Sequence, residues 1–364
     1  MSNSLANCVV SRTFMCLRKI DLLFRSSATS LTRNALSRTS VSSRVSTGPL
    51  SRFYCSSSNM FHARRALMYV PASDKRKINK AASLCVDTLA FDLEDGVAVN
   101  QKENARRSVG SAIAGCRSVG SKAELVVRIN GFESGLVDDD LDAVYSGSHD
   151  SGGGLPDAIM LPKCDTPEHL AELDLALSVH HEGTTTPVPL IVIIESPVGL
   201  LNLREVCQFG TQSARHLRLS ALVFGSDDFL ATLGGTRTKD AYEVLYARQS
   251  LVTHAKAFGL DAIDLVDIDY KDLDSLRVQS EEGARMGYTG KQVIHPDQVP
   301  IVQAAFSPSS TQTKWATELI EAFHRHQETG KGAFVFDGRM IDKPLLLQAE
   351  NIVRLQHAIS NSNS

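Results

Sequence analysis

The 364-residue chain contains no apolar run near the ~20 residues that a membrane-spanning helix needs, so no membrane association is expected. It also lacks a basic surplus: the net charge of −3 removes the main electrostatic argument for nucleic-acid binding. No two cysteines form a CxxC pair; Cys85, Cys116, Cys164 and Cys207 are scattered, which speaks for a reducing compartment and against a disulfide scaffold or a thiolate zinc site. There is no GxGxxG, no GxSxG and no HExxH, and Gly283–Lys291 lacks P-loop spacing, with Gln292 where Ser or Thr is required. Dinucleotide-fingerprint, serine-hydrolase, zincin and P-loop chemistries are thereby set aside.

Charge is unevenly spread. The first 60 residues hold seven Arg and one Lys against a single acid, Asp21, with fifteen Ser, a surplus of seven that leaves the remainder at −10. An Arg- and Ser-rich, acid-poor N-terminus with apolar residues at helical spacing (Val9, Val10, Phe14, Leu17, Ile20, Leu23, Phe24) has the composition of a mitochondrial transit peptide, here residues 1–58, removed on import to the matrix. Arg52-Phe53-Tyr54 suits a processing site.

Beyond residue 60, eight short β-branched runs recur with helical stretches between them: 66–70, 88–93, 125–129, 158–161, 190–194, 221–224, 262–266 and 292–294. They are continuous rather than alternating, as in parallel strands buried on both faces. Eight β–α units over this length predict an α/β TIM (β/α)8 barrel over 61–305, with a doubly wound open sheet as the competing architecture. From about Val299 the pattern turns helical, continues through a turn-rich piece at 330–344, and ends in a helix near 345–359. Residues 306–364 thus read as a C-terminal helical extension, packed on the barrel or on a neighbouring subunit.

Barrel chemistry sits at the C-terminal ends of the strands. There the sequence places Tyr69, Glu94, Asp95, Arg128, Asn130, Lys163, Glu195, Asp227, Asp228 and His295. Two carboxylates on neighbouring strands, Glu195 and Asp228, without a His or Cys cluster, suit a hard oxygen-preferring cation, Mg²⁺ or Mn²⁺; each could instead simply cap the following helix. Arg128, inside LVVRIN, needs an anion, either a substrate carboxylate or a protein one such as Glu94 or Asp95. The cations of DKRKINK open a helix against its dipole, a placement that a bound phosphate would favour and a solvated face would tolerate.

The segments RRALMYVPASD, FDLEDGVAVNQKENAR, VVRIN, MLPK, IIESPVGLLN, VFGSDDF and GKQVIHPDQV occur in order, followed by LYARQ, AKAFGL and MID-PLL. Together they resemble the citrate lyase β-subunit-like group of the aldolase/citrate lyase superfamily, from about residue 62 to the C-terminus. Departures are GSDDF for GxEDF, YVPASD for YVPGND, and Arg76 where the group carries Lys.

The resemblance implies a Mg²⁺-dependent homotrimer that cleaves a β-hydroxyacyl-CoA into acetyl-CoA and an α-keto acid. Glu195 and Asp228 then match the metal ligands, Arg128 the substrate-holding arginine, and Asp342 of MIDKP the catalytic acid/base delivered from a neighbouring subunit. Tyr69, Arg76, Lys80, Lys102, Arg106, Ile294 and His295 match substrate or CoA contacts. The expected reaction is cleavage of (3S)-citramalyl-CoA to pyruvate and acetyl-CoA; run backwards with glyoxylate and followed by thioester hydrolysis, it makes malate. The alternatives are a malyl-CoA ester as substrate, an aldolase acting on free hydroxy-keto acids, or a non-catalytic CoA-binding scaffold.

Overall fold

Eight parallel strands close on themselves: β1 (Ala66–Pro71), β2 (Thr88–Asp92), β3 (Glu124–Arg128), β4 (Ala158–Leu161), β5 (Val188–Ile194), β6 (Leu217–Phe224), β7 (Asp261–Asp264) and β8 (Gly290–Val293), with β8 paired back to β1. The closure settles the choice between barrel and open sheet. This computed structural model describes residues 62–150, 154–180, 185–328 and 334–363; the expected leader, 1–58, with its processing segment, lies outside the described residues.

The helices are α1 (Lys75–Ala81), α2 (Lys102–Ser118), α3 (Val137–Asp150), α4 (Pro167–His180), α5 (Pro197–Leu201), α6 (Leu203–Gln208), α7 (Ser226–Leu233), α8 (Leu245–Ala257), α9 (Leu273–Met286) and α10 (Gln298–Ala305). Among the described residues no helix is long and apolar enough to cross a membrane. Cys85, Cys116, Cys164 and Cys207 are free thiols.

Each strand is buried on both faces, and its period of two decides what reaches the mouth. Leu67, Ala90, Val126, Met160, Ile191, Ile193, Ala221, Val223 and Ile263 fill the inside of the barrel, with Tyr69 packed against them. Their alternate neighbours, among them Leu89, Phe91, Leu125, Val127, Val192 and Phe224, pack outward under the helices. Counting two residues onward from Ala90, Val126 and Ile193 gives Asp92, Arg128 and Glu195, which therefore stand at the C-terminal mouth. Counting two residues backward from Ala90 and Val126 gives Thr88 and Glu124 at the opposite end. There Arg64 donates to both oxygens of Glu124 at 2.6 and 2.8 Å and to Asp261 at 3.0 Å, closing the floor.

The extension pairs α11 (Ser310–Glu328) with α12 (Lys343–Asn363) through a two-stranded hairpin, β9 (Val335–Phe336) and β10 (Arg339–Met340). The hairpin turns on Asp337-Gly338, both at positive φ (49° and 73°), the combination a two-residue type I′ turn demands. Ala316, Leu319, Phe334, Ile341 and Ala349 form its small core, while Ala358 and Ile359 pack on Ala63.

Candidate active site at the barrel mouth

Glu195 follows β5 and is only 8% exposed. Its backbone direction changes at Ser196-Pro197, where Ser196 caps α5 by accepting from the Gly199 N–H at 2.9 Å. Burial pushes the Glu195 carboxyl up to about 8, assisted by the charges of Asp228 and Glu94 and opposed by Lys163. Asp228 comes from the first turn of α7 after β6. Its neighbour Asp227 is taken up by an ion pair with Arg237, so Asp228 is the carboxylate of that pair left facing Glu195. Gly225 makes room for this: a methyl there would sit 2.5 Å from Glu195 Cβ and 2.7 Å from its Oε2.

Two like charges held together in a half-dry pocket call for a cation, and the donors are hard oxygens. Among the described residues there is no group of three or more His, Cys, Asp or Glu that could hold a metal. Two carboxylates with positions left for water and substrate match the way Mg²⁺ is commonly held, so the residues present fit that ion.

Arg128 is 14% exposed and anchored by three neighbours. Its Nε and one terminal nitrogen donate to Asp92 Oδ1 and Oδ2 at 2.8 and 2.6 Å, its other terminal nitrogen lies 3.0 Å from Glu94, and its guanidinium covers the Tyr69 ring at 4.7 Å. Among the carboxylate partners expected for Arg128, the structure brings Glu94 to it and leaves Asp95 exposed; the principal partner is Asp92, which the sequence reading passed over as part of a strand. A lone carboxylate inside TLAFDL, opposite a lone Arg inside LVVRI, was the available signal. Tyr69 donates its hydroxyl to Gln292 Oε1 at 3.0 Å, and burial, opposed by Arg128, raises its phenol well above the ordinary range, so it stays neutral.

Lys163, just after β4, adopts φ 53°, a left-handed conformation that costs a non-glycine residue about 1–3 kcal/mol. Its N–H donates to Glu195 Oε1 at 2.6 Å, and its ammonium reaches Glu94 Oε1 at 2.7 Å.

Lys102 and Arg106, expected as CoA contacts, both have partners within the fold. The Lys102 ammonium donates to the carbonyls of Leu93 and Glu94 at 2.7 and 2.9 Å and to Asn130 Oδ1 at 2.6 Å, which uses all three of its hydrogens to tie down the loop after β2. Arg106 donates to the fully buried Asp140 at 2.7 Å and lies 3.3 Å from Asp139. Asn130 belongs to the same frame, donating through its backbone and side-chain nitrogens to Asp140.

Arg76 and Lys80 stand one turn apart on α1, exposed, and no carboxylate pairs with either among the described residues. Asp74 caps that helix, accepting from the Arg76 and Lys77 N–H groups at 3.1 Å each. Ile294 is exposed at the rim, and His295 stacks on Tyr270 with ring centres 4.9 Å apart. Asp342 lies on the exposed start of α12, where its Oδ1 accepts from the Leu345 N–H at 3.1 Å; this bond is local to the extension. A cavity of about 520 Å³ lies at the other end of the barrel, among Arg64, Asp261, Tyr288, Phe306 and Leu355, away from the strand ends where barrel chemistry occurs.

Residues 65–296 match the model of the HpcH/HpaI aldolase/citrate lyase family. The chain is 46% identical over 310 residues to the human protein named citramalyl-CoA lyase, mitochondrial, covering 84% of this chain and 88% of that one. It is 31% identical over 299 residues to a (3S)-malyl-CoA thioesterase of Cereibacter sphaeroides, covering 82% and 96%. Among solved structures, the CitE protein of Mycobacterium tuberculosis in complex with magnesium, acetoacetate and coenzyme A superposes with a TM-score of 0.62 at 28% identity, covering 81% of this chain and 98% of that one.

Proposed function

The chain belongs to the HpcH/HpaI aldolase/citrate lyase family, and from that premise we propose that it is a Mg²⁺-dependent carbon–carbon lyase that cleaves (3S)-citramalyl-CoA into pyruvate and acetyl-CoA. The observation that carries this reading is the buried Glu195 after β5 and Asp228 in the first turn of the helix after β6, at the same barrel mouth as the inward-facing Arg128.

In the reaction, the bond between the carbinol carbon and the methylene next to the thioester breaks. Its electron pair becomes the enolate of acetyl-CoA, the hydroxyl loses its proton as its carbon becomes the keto carbon of pyruvate, and the methylene gains one. Glu195 and Asp228 would hold the magnesium ion. When bound, the ion polarises the substrate's hydroxyl and carboxylate oxygens. Arg128, aimed by Asp92 and Glu94, stabilises the thioester oxygen as it takes up charge. Tyr69 supports the guanidinium from below. Arg76 and Lys80 receive the CoA phosphates, whose charge compensates the cations at the start of α1. Ile294 and His295 line the path of the CoA chain at the rim, and Lys102 and Arg106 hold the wall behind it.

Asp342 supplies the proton to the acetyl carbon, and it does so from a neighbouring subunit. Val335, Met340 and Leu347, around Asp342, are exposed apolar residues, as are Leu201, Leu233, Tyr242 and Tyr246 on the barrel. A homotrimer in which the 306–364 extension covers the adjacent mouth of a 61–305 barrel buries both sets. The leader composition and relatives named as mitochondrial support a location in the mitochondrial matrix, reached after loss of residues 1–58. With glyoxylate and acetyl-CoA the same site makes malyl-CoA, and hydrolysis of that thioester gives malate.

Pyruvate release from citramalyl-CoA, measured with Mg²⁺ and then with excess EDTA, tests the reading. Metal-dependent release is the expected result. A folded chain that binds CoA but releases no pyruvate overturns it, and charge reversal at Arg76 and Lys80 without effect on KM would transfer the activity to free hydroxy-keto acids.

A further inference from the structure

The left-handed backbone of Lys163 is an unexplained expense. No glycine stands there, and the turn after β4 carries the strain at a residue whose two polar ends both point into the mouth. Its N–H meets Glu195 Oε1 at 2.6 Å, and its ammonium meets Glu94 Oε1 at 2.7 Å and approaches Asp95 at 3.7 Å. The other Glu94 oxygen lies 3.0 Å from Arg128. One residue therefore connects the carboxylate on the metal side of the site to the guanidinium on the substrate side.

We infer that Lys163 is a positioning residue with two separable parts: its left-handed backbone fixes the orientation of Glu195 for the divalent cation, and its ammonium holds Glu94 against Arg128. This inference rests on the metal-site reading given above. The backbone part follows from geometry. At φ 53° the N–H turns inward to Glu195, while the N–H of Cys164 beyond it donates to Ile193 O at 3.4 Å. A residue that refuses positive φ must rotate that N–H away, and a metal ligand without its orienting bond loses affinity. The ammonium part follows from charge. Glu94 is buried beside Glu195, so without Lys163 its balance rests on Arg128 and the Lys102 ammonium, and it pulls the guanidinium from its direction toward the substrate.

Two substitutions separate the parts. Lys163→Asn removes the ammonium but tolerates the left-handed region; Lys163→Val removes the ammonium and resists that region. Mn²⁺ affinity of the full chain, read by electron paramagnetic resonance of the free ion, should stay within about twofold for Asn and weaken by about 10-fold or more for Val. Turnover at saturating metal should fall by about 10-fold in both. Lys163→Gly, which relieves the strain and keeps the N–H, should bind Mn²⁺ like the unaltered chain, and it serves as the backbone test if the Val variant does not fold. Equal Mn²⁺ affinity for Asn and Val, or weakened affinity for Gly, overturns the backbone part. Unchanged turnover in the Asn variant overturns the ammonium part. Failure of the unaltered chain to bind Mn²⁺ at all removes the metal-site reading itself, a result distinct from either.

Discussion

Asp92 and Arg128 are direct register partners on adjacent parallel strands, and their side chains meet in a two-point ion pair inside the barrel mouth, at 2.6 and 2.8 Å. Asp92 also accepts from the N–H groups of Glu94 and Gly96 at 2.8 and 2.9 Å. One carboxylate thus both folds the loop after β2 and aims the guanidinium, so the loop and Arg128 cannot move independently.

That pairing makes Arg128→Lys a severe change. A lysine cannot span both oxygens of Asp92, reach Glu94 and present a face to Tyr69 at once. We expect kcat/KM to drop by about 10²–10³, the usual cost of a lost oxyanion donor, with near-native circular dichroism. A loss below tenfold would take the developing charge away from Arg128.

Gly225→Ala should damage the site without touching a polar group. The new methyl overlaps Glu195 Cβ and Oε2, at 2.5 and 2.7 Å, so the carboxylate must leave its place. Activity is expected to fall by about 100-fold, as displacements near 1 Å do. Gly115→Ala in α2, where nothing lies within 4 Å, is the control and should gain about 0.5–1 kcal/mol in urea unfolding. Equal activities for the two variants would show that Glu195 needs no such space.

Delivery of Asp342 from a neighbour can be read by complementation. Asp342→Ala and Glu195→Ala chains should each be inactive. Mixed and reassembled, they should regain a fraction of the activity, because some mouths then combine an intact Glu195 with a neighbour's intact Asp342. Stable mixed oligomers with no recovered turnover would place Asp342 within its own subunit's chemistry or outside the chemistry altogether.

The floor of the barrel sets a pH dependence of stability. Burial alone would raise the Glu124 carboxyl, but the charge and hydrogen bonds of Arg64, with His62 and Thr88, hold it below its ordinary value. A depressed folded pKa stabilises above the unfolded value, about 4.3 for Glu, and that contribution is lost as pH falls through the folded value. Glu124→Gln should cost about 3 kcal/mol at neutral pH, the low end for breaking a buried pair because Asp261 still holds Arg64. The gap between the two proteins should narrow below pH ~4 in urea titrations. A gap that stays constant down to pH 3 would deny the ion pair this role.

The eight apolar runs sit within the eight strands to within a few residues, since a strand buried on both faces leaves a continuous β-branched signature in sequence. Arg128 inside such a run is equally legible, because period two forces it either into the barrel or under a helix, and both places are dry. Glu195 and Asp228 were visible for the same reason, at strand ends. The hairpin at Val335–Met340 was read only as turn-rich, although its Asp-Gly pair was the available signal.

Lys102 and Arg106 show where sequence reasoning stops. A basic residue in a family-like motif does not reveal which oxygens of its own fold it grips. That Leu93, Glu94 and Asn130 converge on one ammonium, and that Asp140 is wholly buried beside one guanidinium, is visible only in the folded chain. The left-handed turn at Lys163 is likewise silent in sequence, because no glycine marks it. The sequence alone determined the barrel, the strand ends and the identity of the charges, all of which follow from local periodicity and residue chemistry. Which charges neutralise one another was decided only by tertiary structure, because strand register and closure bring together groups tens of residues apart whose energies depend on the distance between them.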